Sequence, residues 1–273
     1  MKKFFITFLS LTLFVNSFSA KIIQIKGSDT ILSTSQSIAE EYMMSHKGAK
    51  IAVVGGGSGV GISSLINGTN DIAMSSRDIK KSEIEEAAKK GLKVREIPIG
   101  FDGITIVTNK DNAVKNISSK DLGKIYRGEI KNWKEIGGKD AEIVVLSRDS
   151  SSGTHEFFKE EIVREGNSKG TQEYGHETLY MPSNEAIKQE ILSNKNAIGY
   201  MGMGYVDATL NSLTVNDIAP TVDNVLTKKY PISRAVFWIA SETVSKEVQD
   251  VIDYALSSEG QEIVKSEGFV PVK

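Results

Sequence analysis

The sequence predicts an α/β protein, in which short buried strands alternate with amphipathic helices. Two observations support this fold class. Short apolar runs recur along the chain, and the segments between them show helical spacing of apolar residues. Three of the apolar runs pass directly into turns rich in serine, glycine and threonine, and each of these turns opens a helix. Because no low-complexity linker or fixed repeat interrupts the pattern, we expect any division into lobes to run through short crossovers.

The first two junctions lie near the start of the mature chain. Residues 22–26 form a predicted strand that leads through Gly27-Ser28-Asp29-Thr30 into a helix. Residues 51–54 form a second strand, followed by the glycine-rich turn 55–61, which contains Ser58. Glycines let the backbone approach a ligand closely, and a helix that begins at such a turn directs free N–H groups toward it.

The third junction lies in mid-chain, where a strand at residues 143–146 is followed by Arg148-Asp149-Ser150-Ser151-Ser152-Gly153-Thr154. Arg148 can bring a bidentate guanidinium to the point that the helix N-terminus faces. Such a set of donors suits a tetrahedral oxyanion. A well-capped helix beside an incidental surface arginine is the alternative for this run taken alone.

The other elements follow from periodicity and from caps. Ser82 and Glu85 have the spacing of a capping box at the start of a helix, and Gly91 is the stop signal at the end of that helix. The remaining predicted strands are 94–97, 104–108, 196–201 and 232–240, and the remaining predicted helices are 82–90, 118–126, 183–193, 245–256 and 258–267.

The start of the chain has the features of a secretory signal peptide, predicted over residues 1–20. Lys2 and Lys3 precede an apolar run at 4–15, and small Ser17 and Ser19 suit cleavage after Ser19. An uncleaved anchor is the alternative. The chain has no cysteine, which excludes disulfides, metal–thiolate sites and a lipid-anchor cysteine. We therefore expect a periplasmic protein.

Composition and motifs argue against two classes of function. The net charge of −2, without a long basic block, gives no reason to expect nucleic acid as a partner. Ser58 lacks the second glycine of a nucleophile elbow, because Val60 stands there. Neither a phosphate-cradling Gly-Lys-Ser/Thr motif nor a dinucleotide fingerprint occurs, and His46, His155 and His176 lack zinc-ligand spacing. We expect no enzyme activity, no metal and no cofactor.

Several motifs in a fixed order resemble a known family. They are Gly27–Thr30, the Ser58 turn, Ser75-Ser76-Arg77, residues 132–138, Arg148 with Ser152-Gly153-Thr154, and residues 196–200. Together they resemble the periplasmic phosphate-binding proteins of high-affinity phosphate ABC transporters, and the resemblance extends through residues 230–234. It implies a bilobal type II periplasmic-binding-protein fold, with two wound α/β lobes joined by a two-crossover hinge. The expected domains are lobe 1 at 21–108 plus 231–273 and lobe 2 at 109–230.

The resemblance also implies which residues bind the anion. Ser28, Thr30 and Ile31 match the first loop of the family, Ser58 matches the second, and the third comes from the opposite lobe. The complete predicted set of phosphate ligands is Ser28, Thr30, Ile31, Ser58, Ser76, Arg77, Asp102, Arg148, Ser152, Gly153 and Thr154.

One position departs from the family pattern. Longer members carry an aspartate where this chain has Arg77, and that aspartate accepts the proton of hydrogen phosphate. A carboxylate accepts a P–OH hydrogen bond but repels fully ionised sulfate, so the site needs such an acceptor. Asp102 is the expected replacement, with Arg77 as an additional cation. Asp29, Asp78 and Asp149 remain alternatives, and Asp102 could instead be an ordinary turn residue before Gly103.

The expected function is that of a monomeric receptor that closes on inorganic phosphate and docks on the membrane permease of an ABC importer, which is driven by ATPase subunits. Two alternatives stay open. The chain could bind another tetrahedral oxyanion, such as sulfate, molybdate or tungstate. It could also be a secreted phosphate-ester hydrolase that uses the same pocket.

Overall fold

The computed structural model describes residues 21–272 of the chain. The predicted signal peptide at residues 1–20 lies outside the described residues and stays a prediction. Within residues 21–272, no helix combines the length and the apolar character that a bilayer crossing requires.

The strands of the first lobe are β1 (Ile23–Gly27), β2 (Ile51–Val54), β3 (Ile72–Ser75), β10 (Ser233–Ser241) and the first part of β4 (Val94–Asn109). They form a sheet with the strand order β2-β1-β3-β10-β4. The helices of this lobe are α1 (Leu32–Ser45), α2 (Ser58–Ile66), α3 (Lys81–Lys89), α8 (Lys246–Ala255) and α9 (Ser258–Ser266). β1 is parallel to β2 and β3, so their C-terminal ends lie at one edge of the sheet.

The second lobe continues the sheet from the other part of β4. Its strands are β5 (Asn116–Ile117), β6 (Val144–Arg148), β7 (Leu179–Met181), β8 (Ala197–Gly202) and β9 (Leu210–Val215), and its helices are α4 (Ser119–Tyr126), α5 (Gly153–Phe158), α6 (Asn184–Ser193) and α7 (Val222–Leu226). β6 is parallel to β7 and β8, and β4 is antiparallel to β8 and β9. The alternation of strands and helices confirms the predicted α/β class, while the predicted lobe boundaries stay predictions.

The two predicted strands at 94–97 and 104–108 are one continuous strand, β4. Pro98 does not interrupt it, because the register between β4 and β10 shifts at Val236/Phe237 and this bulge takes up the irregularity. From Gly103 to Ile104 the partner of β4 changes from β10 to β8. A single strand therefore passes from one lobe into the other.

The start of α3 also differs from the prediction. The N-cap residue is Lys80 rather than Ser82, and Glu83 rather than Glu85 accepts the backbone N–H of the cap residue, at 2.8 Å. Glu83 also binds a neighbouring arginine, Arg77, which fixes the Glu83 side chain over the first turn.

Each lobe has a hydrophobic core of its own. Trp238 is fully buried in the first core, and its Nε1 donates to Ser35 Oγ at 3.0 Å. In the second core the ring of Phe158 stacks on that of Tyr200, with ring centroids 4.0 Å apart. Because Phe158 is the last residue of α5, this packing anchors the helix whose first turn faces the first lobe.

Candidate functional site

Five buried hydroxyl side chains converge between the lobes, and we call Ser28, Thr30, Ser58, Ser76 and Thr154 the hydroxyl cluster. None is more than 1% exposed. Thr30 Oγ1 and Thr154 Oγ1 lie 2.6 Å apart, Ser28 Oγ donates to Ser76 Oγ at 2.9 Å, and the Oγ atoms of Ser58 and Ser76 are 3.3 Å apart. Each hydroxyl can exchange these bonds for an anion oxygen, because a hydroxyl rotates freely between partners.

Four of the five hydroxyls lie at the predicted junctions, and Ser76 directly follows β3. Ser28 and Thr30 follow β1 at the turn before α1, Ser58 is the first residue of α2, and Thr154 lies in the first turn of α5. Gly153 is required at the last junction: a Cβ atom there would lie 2.4 Å from Ser58 Oγ and 2.9 Å from Ser76 Oγ. The missing side chain lets the N-terminus of α5 approach the first lobe.

Arg148, the last residue of β6, supplies a buried positive charge beside the cluster. Its side chain is 1% exposed, Nη2 donates to the Pro182 carbonyl oxygen at 2.9 Å, and Nη1 lies 3.6 Å from Asp29 Oδ2. Its Nε and Nη1 find no hydrogen-bond acceptor among residues 21–272. Leaving a buried donor unpaired costs about 1–3 kcal/mol, so this guanidinium is suited to an anionic ligand.

Arg234 is a second buried guanidinium, which the sequence analysis did not identify as a site residue. Its Nη2 donates to Thr154 Oγ1 at 2.7 Å and to Asp102 Oδ2 at 3.0 Å. Its Nε and Nη1 lack acceptors within the described part of the chain. Burial lowers the pKa of Arg234, and Asp102 opposes this effect. The sequence contained a feature that could have identified Arg234: an arginine inside the apolar strand 232–240 must be buried and therefore needs polar partners.

Asp102 is fully buried at the edge of the cluster. Its Oδ1 accepts the Met203 N–H at 3.0 Å, and its Oδ2 accepts from Arg234. A Cβ atom on Gly202 would lie 3.3 and 3.4 Å from the two carboxylate oxygens and 2.9 Å from the Thr30 methyl carbon, so Asp102 is close to Thr30. Each oxygen keeps a lone pair for another donor. The position agrees with a role as acceptor, which stays a prediction.

The three alternative carboxylates are placed less favourably. Asp29 Oδ2 accepts the Asn184 N–H at 3.1 Å and faces Arg148. Asp149 Oδ1 accepts the Ser151 N–H at 2.8 Å, so it is engaged in its own turn. Asp78 is exposed. Of the three, only Asp29 is next to a guanidinium of the site.

The structure does not bring Arg77 into the hydroxyl cluster, which corrects the expectation of an additional cation there. Two carboxylates occupy its guanidinium. Glu83 binds it in bidentate fashion, at 2.9 and 2.8 Å, and Glu156 Oε2 lies 2.6 Å from Nε. An arginine held by two carboxylates has little charge left for a third anion.

The last two predicted ligands are placed beside the cluster. The Ile31 side chain is buried in the core of the first lobe, so only its backbone could reach a ligand. Ser152 Oγ accepts the backbone N–H groups of Thr154 and His155 at 3.2 and 3.3 Å, which caps α5 and leaves its own proton free for an anion.

His155 does not form a nucleophile–base pair with Ser152. Its Nδ1 is 2.8 Å from the Arg148 carbonyl oxygen and 3.2 Å from Ser147 Oγ. Burial lowers the pKa of His155. Among the described residues, no group of three histidine or carboxylate side chains is arranged to hold a metal ion.

The two lobes are in direct contact around the site. Besides the Thr30–Thr154 pair, the Gly59 N–H donates to the Ser151 carbonyl oxygen at 3.0 Å, and the Tyr205 hydroxyl donates to the Asp29 carbonyl oxygen at 2.7 Å. These contacts close the cleft over the cluster. They also remove its polar groups from bulk water, which strengthens electrostatic interactions inside.

Comparisons with known proteins agree on one family. The family model described as PBP superfamily domain matches residues 16–259. The phosphate-binding protein PstS of Borreliella burgdorferi is 33% identical over 264 residues, covering 94% of this chain and 92% of that protein.

Two solved structures share this architecture. A Clostridium perfringens structure with bound phosphate, described as the substrate-binding protein of a phosphate ABC transporter, is 33% identical with a TM-score of 0.85, over 93% of this chain and 100% of that one. An ABC-type phosphate transport receptor from Vibrio cholerae is 30% identical with a TM-score of 0.74, over 91% of this chain and 99% of that one.

Proposed function

This chain belongs to the PBP superfamily and, within it, to the PstS-type phosphate-binding proteins, and on that premise we propose that it captures inorganic phosphate between its lobes and delivers it to an ABC importer. Its relatives carry the names of binding proteins and transport receptors, which supports a receptor without a catalytic reaction. The fold is the bilobal type II periplasmic-binding-protein fold, in which closure of the lobes traps the ligand.

One observation carries the proposal: two buried guanidiniums with unpaired N–H groups flank five buried hydroxyls. Guanidinium and hydroxyl donors together disperse the charge of a tetrahedral oxyanion without water. Asp102 supplies an acceptor, and a protonated phosphate oxygen is a donor that sulfate lacks. Phosphate therefore fits the set of donors and acceptors better than sulfate does.

The transporter partners and the location belong to the same proposal. The closed receptor docks as a monomer on the permease subunits of an importer driven by ATPase subunits. It works in the periplasm after export by the signal peptide predicted at residues 1–20.

The test of the proposed function is calorimetry of the chain with phosphate, arsenate, sulfate and molybdate, together with an assay on a chromogenic phosphate ester. We expect one phosphate per chain, bound at micromolar affinity or tighter, which is about −8 kcal/mol or better. Sulfate should bind at least about 100-fold more weakly, because Asp102 would face an anion with no proton. Comparable sulfate affinity would contradict phosphate selectivity, and turnover of the ester would favour the hydrolase.

Replacing Asp102 by asparagine should narrow the gap between phosphate and sulfate. The amide keeps one carbonyl acceptor but removes the negative charge that repels sulfate and that partly neutralises Arg234. We expect phosphate to weaken and sulfate to strengthen, so that the affinity ratio falls by about tenfold or more, equivalent to about 1.4 kcal/mol. Competition calorimetry at pH 7 measures this ratio directly.

Asp78→Asn is the matched control, because Asp78 is exposed and outside the cluster. The ratio of phosphate affinity to sulfate affinity in Asp78→Asn should equal that of the unmodified chain. Asp29→Asn tests the remaining alternative next to Arg148. If the phosphate-to-sulfate affinity ratio is unchanged in Asp102→Asn but falls strongly in Asp29→Asn, then the carboxylate that accepts the phosphate proton is Asp29, in the turn before α1.

A further inference from the structure

Arg77 forms an ion-pair network that crosses from one lobe to the other. Glu83, six residues further along the chain, binds its Nη1 and Nη2 from within the first lobe. Glu156, on α5 of the second lobe, forms an ion pair with Arg77: its Oε2 lies 2.6 Å from Nε, although the two atoms do not meet hydrogen-bond geometry. Glu156 also pairs with Lys80 of the first lobe. The Arg77 side chain is 8% exposed, so the centre of this network is shielded from solvent.

In each lobe, a residue of this network is a close neighbour in sequence of a residue of the hydroxyl cluster. Arg77 follows Ser76, and Glu156 is two residues after Thr154. The Ser76 and Thr154 hydroxyl oxygens are 3.5 Å apart. An ion pair at this place fixes the first turn of α5, with its Gly153 and Thr154 donors, against the end of β3.

Glu83 and Glu156 differ in whether their pairing with Arg77 depends on closure of the cleft. Glu83 shares a lobe with Arg77, so that bidentate pair is available whether the cleft is open or closed. Glu156 reaches Arg77 only when α5 meets the first lobe. Burial opposes the charge on Arg77, but Glu83 and Glu156 more than offset this and raise its pKa. The guanidinium is therefore a charged, pre-oriented receptor for Glu156.

We propose that Arg77 is a positioning residue that holds the closed cleft by binding Glu156, and thereby slows phosphate release without contacting phosphate. This inference rests on the proposed function of the cleft. The pair forms late, when the lobes meet, so it acts on the dissociation rate and leaves the first encounter with phosphate unaffected.

The experiment compares the rates of phosphate dissociation from the full chain, from Glu156→Gln, from Arg77→Met and from the double variant. Each rate is measured by chasing bound radiolabelled phosphate with excess unlabelled phosphate. Calorimetry measures the equilibrium dissociation constant of each variant. Dividing the dissociation rate constant by this value gives the association rate constant. We expect Glu156→Gln to raise the dissociation rate about tenfold while the association rate changes less than twofold. The double variant should release phosphate no faster than the faster single variant, because both remove the same pair.

Glu85→Gln is the matched control, since Glu85 makes an exposed pair with Lys81 at 4.0 Å within the first lobe. It loses the same charge but should release phosphate at the unmodified rate. Thermal melting of each variant without phosphate separates a loss of folding from a loss of closure.

Additive effects of the two substitutions, equal changes in association and dissociation rates, or faster release in Glu85→Gln would each overturn the role of Arg77. Failure of the unmodified chain to bind phosphate would instead reject the proposed function. The two failures are therefore distinguishable.

Discussion

Arg148→Ala is expected to weaken phosphate binding by about 2–4 kcal/mol, a factor of roughly 30 to 900, because it removes one member of a buried, charged, hydrogen-bonded pair. The guanidinium is 1% exposed and has two nitrogen atoms without acceptors in the described residues, so it is available to pair with a buried anion. Calorimetry of the variant against the unmodified chain measures the change.

Thr154→Val is the comparison for this prediction, since it removes one hydroxyl donor from the same site and preserves the side-chain shape. We expect a smaller loss of about 1–2 kcal/mol. Arg148→Lys keeps the charge but not the planar fork, and it should recover only part of the affinity. Equal, small losses in Arg148→Ala and Thr154→Val would mean that the Arg148–Thr154 run is only a helix cap.

Arg234→Ala should lower the free energy of unfolding by about 3–5 kcal/mol, because it leaves the Asp102 carboxylate buried without its counter-charge. Phosphate affinity should fall as well, since the Nη2 donor that contacts the Thr154 hydroxyl is lost. Urea unfolding monitored by circular dichroism gives the first quantity, and calorimetry gives the second.

The double variant Arg234→Met with Asp102→Asn separates the two effects. Removing both charges leaves no uncompensated ion, so most of the stability should return. Phosphate binding should stay weak, because the second guanidinium is still missing. Full recovery of binding in this double variant would show that Arg234 serves only to neutralise Asp102.

The sequence was most informative where the chemistry is local. Each donor turn is a few consecutive residues in which serine, glycine and threonine follow a short strand, and turn, cap and dipole act within that distance. For this reason Ser28, Ser58 and Thr154 could be expected to meet once a wound α/β fold was predicted. The resemblance then supplied the pairing of lobes, which no single turn contains.

The pairs formed across the fold were not predictable in the same way. Asp102 and Arg234 are 132 residues apart and meet only because β4 and β10 are neighbours in the sheet. Arg77 was expected at the anion site from the family resemblance, but Glu83 and Glu156 bind its guanidinium. Which carboxylate an arginine selects depends on tertiary packing, and periodicity carries no information about that choice.

The most direct test of the central claim is a crystal structure of the chain with phosphate. We expect one phosphate in the closed cleft, with its oxygens within hydrogen-bond distance of the Arg148 guanidinium and of the Thr154 and Ser58 hydroxyls, and one oxygen facing Asp102 or Arg234. Phosphate bound instead at the surface cavity bordered by Lys80, Lys159 and Arg164, with the hydroxyl cluster still bonded to itself, would contradict it.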